Sequence, residues 1–285
     1  MAVRRTSAAD LPALYDIFSE AIGLVYRARR LDPPAPPYEI FAAQQRHLLT
    51  HDGDRCVVAE EDGEVVAFAS AWARGTTWFL ASLFVRPRVH GRGVGTALLD
   101  AVWGAEFASR RTITDAIQPI SNALYGRRGL IPVTPVLPFA GTPVAAVRAT
   151  GPLEQAQWDA AAAGALDGAG YGFDRSVDHD RWSAVARRVL WRDARGGAAA
   201  YSYAFPDGTI GPVVGADPAA AAAALHTELA LADGEVRVRI PGSARDLVAV
   251  ALAARLRLSP TPGLLLLDRA TPAPAQIAIG GYTLL

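Results

Sequence analysis

Residues 78–100 read WFLASLFVRPRVHGRGVGTALLD: an apolar strand-like run, a short basic loop, and an amphipathic helix that the loop enters directly. Three glycines alternate at Gly91, Gly93 and Gly95, where the loop becomes the helix. This junction constrains the fold more than any other part of the chain. A strand that passes into a helix through a loop of missing side chains belongs to a layered α/β arrangement. Another group can approach such a backbone closely, and the first N–H groups of the helix have no partner inside it. Those donors and the positive end of the helix dipole suit a phosphate or pyrophosphate. Arg86, Arg88 and Arg92 add positive charge around it. A glycine turn that only packs a helix on a strand is the alternative the spacing leaves open.

Two other phosphate-binding designs are excluded. A dinucleotide fingerprint needs GxGxxG directly after the strand, whereas these glycines read GxGxG and Arg86–His90 intervene. A P-loop needs a lysine, and all 28 cationic residues are arginine. The same absence removes Schiff-base chemistry. Cys56 is the single cysteine, so intramolecular disulfides and Cys-rich zinc sites are excluded. His47 and His51 read as a solvated pair before a turn, and no metal is expected. The acidic residues, also 28, balance the basic ones and leave no global field for nucleic acid or an anionic membrane. No apolar run is long enough to span a bilayer, and MAVRRTSAAD lacks the apolar core of a signal peptide. A cytoplasmic location is expected.

A chain of 285 residues suggests one large or two medium domains. Leu11, Leu14, Ile17, Phe18, Ala21 and Ile22 recur at helical spacing over 9–28, after a short strand. The proline-dense LDPPAPPY (31–38) forms a stiff exposed loop before a second helix, 39–49. Strands 55–60 and 64–73 meet at the hairpin turn Glu61-Asp62-Gly63, and a further strand spans 78–85. The loop helix covers 96–109; a strand (111–117), a helix (121–128) and strands 131–139 and 144–149 follow. The order predicts an α/β (α+β) layer with a mixed sheet flanked by helices. The pattern restarts at Thr150-Gly151-Pro152, which divides the chain into domains 1–150 and 151–285. In the second half the pattern predicts a helix over 153–163, a glycine-rich loop to Tyr171, and strands at 189–192, 199–205 and 209–214. A helix (218–232), the alternating strand 236–240, a helix (244–256) and strands 263–268 and 276–283 complete it. This order repeats much of the first half, which suggests a duplicated fold.

Residues 83–100 resemble the acetyl-CoA signature of the GNAT acyltransferase superfamily, whose loop reads Arg/Gln-x-x-Gly-x-Gly/Ala. His90 stands at the Arg/Gln position, and Gly93 and Gly95 match the two small residues. Gln118–Leu130 resembles the family's Asn-x-x-Ala-x-x-x-Tyr-x-x-x-Gly-Phe segment, with Tyr125 and Gly129 in register. Gln118 replaces the Asn, Ser121 the Ala and Leu130 the Phe. The second half lacks this signature and resembles the degenerate C-terminal domain of some two-domain GNAT proteins. Its glycines and prolines at 208–217 and 239–243 shape turns, and residues 277–282 are free to complete the sheet of either half.

The resemblance implies acetyl transfer from acetyl-CoA to an amine of a small molecule or peptide, directly, within a ternary complex. It implies that Leu83, Phe84 and Val85 bond the pantetheine arm by their backbone, in a gap where the fourth strand parts from the fifth. His90, Gly91, Arg92, Gly93, Val94, Gly95 and Thr96 would hold the pyrophosphate, and Gln118 would also contact the coenzyme. Tyr125 would be the general acid that protonates the departing thiolate. The family often carries a Glu on the fourth strand as base; Ala81 and Ser82 stand there instead. Glu20 and Asp115 are the remaining base candidates, beside loss of the amine proton to water. The resemblance further places the acceptor pocket at an interdomain cleft and leaves a homodimer open. A non-catalytic acyl-CoA or metabolite-binding module is the alternative function.

Overall fold

The computed structural model describes residues 1–34, 36–144, 153–268 and 273–285. The chain divides into two compact units. The first comprises Met1–Thr112 with Ile117–Leu130, and the second Ile113–Ala116 with Ile131–Leu285. The expected boundary at Thr150-Gly151-Pro152 lies outside the described residues, as does most of the expected strand 144–149.

The first unit opens with β1 (Ala2–Arg5), α1 (Leu11–Arg27) and α2 (Tyr38–Asp52). Ser7 and Asp10 form a capping box ahead of α1, which buries Leu11, Leu14, Ile17 and Ala21 along one side, as the periodicity predicts. The Tyr15 hydroxyl donates to the Pro36 carbonyl at 2.9 Å and so pins the proline loop to α1. Next come β2 (Cys56–Glu61) and β3 (Glu64–Arg74), joined by Asp62-Gly63 with φ of +52° and +79°, the pairing a tight antiparallel hairpin needs. The unit continues with β4 (Thr77–Val85), α3 (Val94–Val102), β5 (Ser109–Asp115) as far as Thr112, and α4 (Pro119–Gly126). Strands β1 to β4 pair antiparallel in sequence order, and β5 adds parallel to β4. An aromatic layer of Tyr15, Phe18, Tyr38, Phe41, Phe68 and Phe84 packs α1 and α2 on the sheet.

The second unit contains β6 (Ile131–Gly141), β7 (Glu154–Ala156), α5 (Ala160–Gly170), α6 (Ser176–Ser183) and β8 (Arg187–Arg192). After these come β9 (Ala198–Ala204), β10 (Thr209–Gly215), α7 (Pro218–Ala230), β11 (Val236–Pro241) and α8 (Arg245–Ala253). The short strands β12 (Arg257–Leu258), β13 (Gly263–Leu267) and β14 (Ile277–Ala278) close the chain. β6 belongs with this unit because it pairs antiparallel with β11, β12 and β13. The order from β7 to α8 repeats that from β1 to α4, and so do the pairings: three antiparallel steps, then the parallel pair β10 and β11. The duplication read from the sequence is therefore present in topology.

The helix expected at 96–109 ends at Val102, the strand expected at 276–283 is confined to Ile277–Ala278, and the region 153–183 differs further. The helix expected at 153–163 begins at Ala160, where the Asp159 carboxylate accepts the N–H groups of Ala161 and Ala162 at 3.0 and 3.1 Å. It then runs through the glycines expected to form a loop. A Cβ on Gly170 would lie 2.7 Å from Val214 Cγ1, so the helix approaches β10 closely there. Helix α6, too polar to show helical periodicity, is held by buried Asp178, His179 and Trp182.

Candidate active site

The site is made by strand β4 losing its neighbour. β4 stays paired with β3 to its end, where the Arg86 N–H reaches the Val66 carbonyl at 2.9 Å. Its parallel pairing with β5 covers only Thr77–Leu80. At that point Ala81 is one residue extra: Leu80 faces Ala71 and Ser82 faces Ser70. Such a bulge bends the strand that carries it. The Thr112 hydroxyl donates to the Leu80 carbonyl at 2.9 Å and closes off the ladder. Beyond the bulge, strand alternation turns the backbones of Ser82, Phe84 and Arg86 toward β3. The backbones of Leu83 and Val85 turn the other way, toward the gap. Phe84 lies between them with its ring in the aromatic layer, 5.2 Å from Phe18.

The glycine loop sits at the end of this edge. Gly91 and Gly93 take φ of +78° and +80°, and α3 starts at Val94. Ala97 is the first residue there to reach back within the helix, with its N–H on the Gly93 carbonyl at 3.0 Å. The amides ahead of it lie at the end of the helix ladder, which leaves donors for an anion. Gly95 lies where β4, α3 and α4 meet: a Cβ there would be 3.6 Å from Val85 Cγ2 and 3.8 Å from Leu124 Cδ2. Arg92 and Thr96 are exposed beside it. His90 Nε2 donates to the Val85 carbonyl at 2.9 Å, so it holds one acceptor of the free edge and fixes the loop to β4.

The loop arginines differ from the sequence expectation of free positive charge. Arg86 pairs with Glu20 at 2.7 Å, Arg88 with Glu64 at 2.7 Å, and Arg92 engages both carboxylate oxygens of Glu61. The Arg92 hydrogen bonds hold the Glu61 carboxyl below its ordinary range. Glu61 and Glu64 flank the β2–β3 hairpin and Glu20 lies on α1, so partners distant in sequence meet the loop arginines.

Tyr125 is buried on α4, one turn after Ser121. Burial pushes its phenol well above the usual tyrosine range, against a smaller opposing effect from the Ser121 hydroxyl bonded to it. The group is therefore a protonated donor at any ordinary pH. Gln118 caps the same helix, its carbonyl accepting from Asn122 Nδ2 at 2.8 Å. Of the two base candidates, Glu20 is tied to Arg86, and Asp115 lies at the end of β5 in the stretch grouped with the second unit. Cys56 is buried, and burial raises its thiol to about 12, which removes it as a nucleophile. Among the described residues, no group of three or more His, Cys, Asp or Glu could hold a metal ion.

The matching place in the second unit is filled by the chain itself. β10 carries its own irregularity between Ile210 and Val213, and its parallel pairing with β11 stops at Ile210. β14 then pairs with Val213–Val214, and Ile279 bridges to Arg239 of β11. The C-terminal segment thus completes the second unit's own sheet. A buried network missed by the sequence reading lies nearby: Asp167 receives hydrogen bonds from Tyr201 and from His179 Nε2, while His179 Nδ1 faces the Tyr203 hydroxyl at 2.9 Å. Its members are spread over α5, α6 and β9 with no shared spacing to reveal them.

The profile of the acetyltransferase (GNAT) family matches residues 12–130. Residues 12–130 form a GNAT-family acetyltransferase domain. The GNAT likeness in fold extends over both units. A candidate acetyltransferase from Pyrococcus horikoshii matches 99% of this chain with 95% of its own, at 17% identity and a TM-score of 0.78. A GCN5-related N-acetyltransferase from Sphaerobacter thermophilus covers 95% of this chain with 96% of its own, at 18% identity and a TM-score of 0.65. One from Kribbella flavida covers 93% with 71% of its own, at 17% and 0.59. No curated protein matches the chain. No helix among the described residues is long and apolar enough to cross a membrane.

Proposed function

We propose that the GNAT domain transfers an acetyl group from acetyl-CoA to an amine of a small molecule or peptide, directly, without an acyl-enzyme. The parting of β4 from β5 beside a glycine loop at a helix N-terminus carries this reading. The residues fit the coenzyme: the gap edge offers backbone donors and acceptors to an extended pantetheine, and nothing lies within 4 Å of where a Cβ on Gly91 or Gly93 would sit. Bound there, acetyl-CoA supplies an activated thioester. The Leu83 N–H polarises its carbonyl, the amides of 92–96 hold the pyrophosphate, and Tyr125 gives its proton to the departing sulfur. Glu20 is engaged by Arg86, so the acceptor amine loses its proton to water, and turnover follows the amine's own titration.

Calorimetry with coenzyme A tests the binding; no heat at near-millimolar coenzyme removes the reading. Tyr125→Phe should lower kcat about 10- to 1000-fold with little change in coenzyme affinity. Because burial raises the phenol, wild-type kcat shows no alkaline fall from Tyr125 up to about pH 10, its ordinary value. Unchanged turnover in the variant takes Tyr125 out of the mechanism. Ala81 and Ser82, where a strand carboxylate would stand, favour one rival, a coenzyme-binding module without catalysis. That rival predicts binding with no thiol release across a panel of amines.

A further inference from the structure

Directly beneath the bulge of β4 lies a buried polar bridge. Ser70 on β3 and Ser82 on β4 face each other across the strands at the last register pair before Ala81 intervenes. Gln45 of α2 joins them: the Ser70 hydroxyl donates to Gln45 Oε1 at 3.0 Å, and Gln45 Nε2 donates to Ser82 Oγ at 3.4 Å. Gln45, Ser70 and Ser82 are 2%, 1% and 6% exposed, on the side of the sheet where aromatic and aliphatic groups pack α1 and α2. Polar groups in such a layer cost stability unless bonded to one another, and once bonded they fix a single geometry. What they fix is the segment where β4 turns its free backbone into the gap. The second unit provides a contrast. It has an irregular β10 too, but the first paired residue beyond is Val213, and the opposing Ser202 hydroxyl turns to Glu228 instead. The gap there is closed by β14. Among the described residues, the bridge from a helix glutamine to two facing strand serines is seen in the unit with the open edge.

We propose that Gln45 is a positioning residue: by clamping Ser70 and Ser82 it sets the bulge at Ala81 and aims the Leu83 N–H at the acyl carbonyl of the bound thioester. The inference rests on the coenzyme reading of the gap. Gln45 touches no reacting atom; its effect passes through the strand. Breaking the clamp therefore loosens the aim of one amide and leaves the pyrophosphate loop, which is held by Gly91–Thr96 and His90, as it was.

The test uses acetyl-CoA labelled with carbon-13 at the thioester carbonyl, bound to the full-length protein and read by difference infrared spectroscopy. Wild type should move the carbonyl band to lower frequency. Gln45→Met, equal in length but unable to bridge, and Ser82→Ala should each lose most of that shift. The dissociation constant for acetyl-CoA should change less than about 3-fold, since the phosphate contacts carry it. With any amine that wild type acetylates, turnover should fall about 10- to 100-fold, the scale of a misdirected donor. The double variant should be no worse than either single one, because both remove the same clamp. Should Gln45→Met fail to fold, Ser82→Ala, a one-atom deletion, decides. Folded variants that keep the shift and turnover overturn the clamp and leave the coenzyme reading intact. A parallel loss of coenzyme affinity overturns it as well, by making the bridge a general support of the gap. A wild type that binds no acetyl-CoA refutes the coenzyme reading itself.

Discussion

Two glycines only two residues apart in the loop should respond oppositely to the same substitution. Gly93 has φ of +80° and nothing within 4 Å of the position of a Cβ, so Gly93→Ala meets no clash. Its cost is conformational: about 1–2 kcal/mol to hold alanine in the left-handed region, offset by about 0.4–1 kcal/mol from the stiffer unfolded chain. The net is a loss of about 1 kcal/mol. Gly95 is already helical, and its Cβ would make ordinary contact with Val85 at 3.6 Å and Leu124 at 3.8 Å. Gly95→Ala should therefore gain about 0.5–1 kcal/mol from helix propensity. Thermal melts should separate the two, Gly93→Ala falling and Gly95→Ala rising by roughly 2–5 °C each. In coenzyme A titrations the new methyl of Gly93→Ala should weaken binding by about 10-fold or more, and Gly95→Ala should stay within about 3-fold. Melting shifts of the same sign would refute the assignment of left-handed strain to one and helical geometry to the other.

Three further outcomes follow from the electrostatics. Asp10 sits at about 2 because two hydrogen bonds from Arg4, at 2.9 Å each, outweigh burial, with help from the Ser7 N–H. A lowered folded value gives stability that is present above the unfolded value near 4 and lost as pH falls through about 2. Asp10→Asn should thus cost about 1 kcal/mol at neutral pH, solvent around Arg4 keeping it small, and converge with wild type in acid melts near pH 2. Cys56, raised to about 12 by burial, should resist iodoacetamide in the native protein at pH 8 and react only in denaturant; rapid native labelling would contradict its burial. Glu61→Gln frees Arg92 from its carboxylate partner, so coenzyme A should bind more tightly and with steeper salt dependence. Weaker binding would mean that the pair holds the loop in shape.

The hairpin at Asp62-Gly63, the amphipathic α1 and the glycine entry to α3 were legible because each depends on neighbours within a few residues. So was the duplicated order of elements, which needs only the succession of periodic segments. The run of α5 on to Gly170, beyond the helix expected at 153–163, was not legible because local propensity argues against its glycines and Gly170 answers to Val214, far along the chain. The pairing of Arg86, Arg88 and Arg92 with three glutamates was likewise beyond reach, since side chains on separate elements meet only after the sheet has formed.

The sequence by itself determined the chemistry a backbone loop can offer: glycines in a loop-to-helix turn, exposed amides, and a tyrosine in register on a later helix. Only the tertiary structure decided which strand edge is free. That edge exists because one extra residue at Ala81, with Thr112 taking the Leu80 carbonyl, ends the pairing of β4 with β5. In the second unit the same kind of edge is closed by β14, more than sixty residues along the chain from the strand it completes. A hydrogen-bonded edge is open or shut according to what lies beside it in space, and no local pattern of residues records that neighbour.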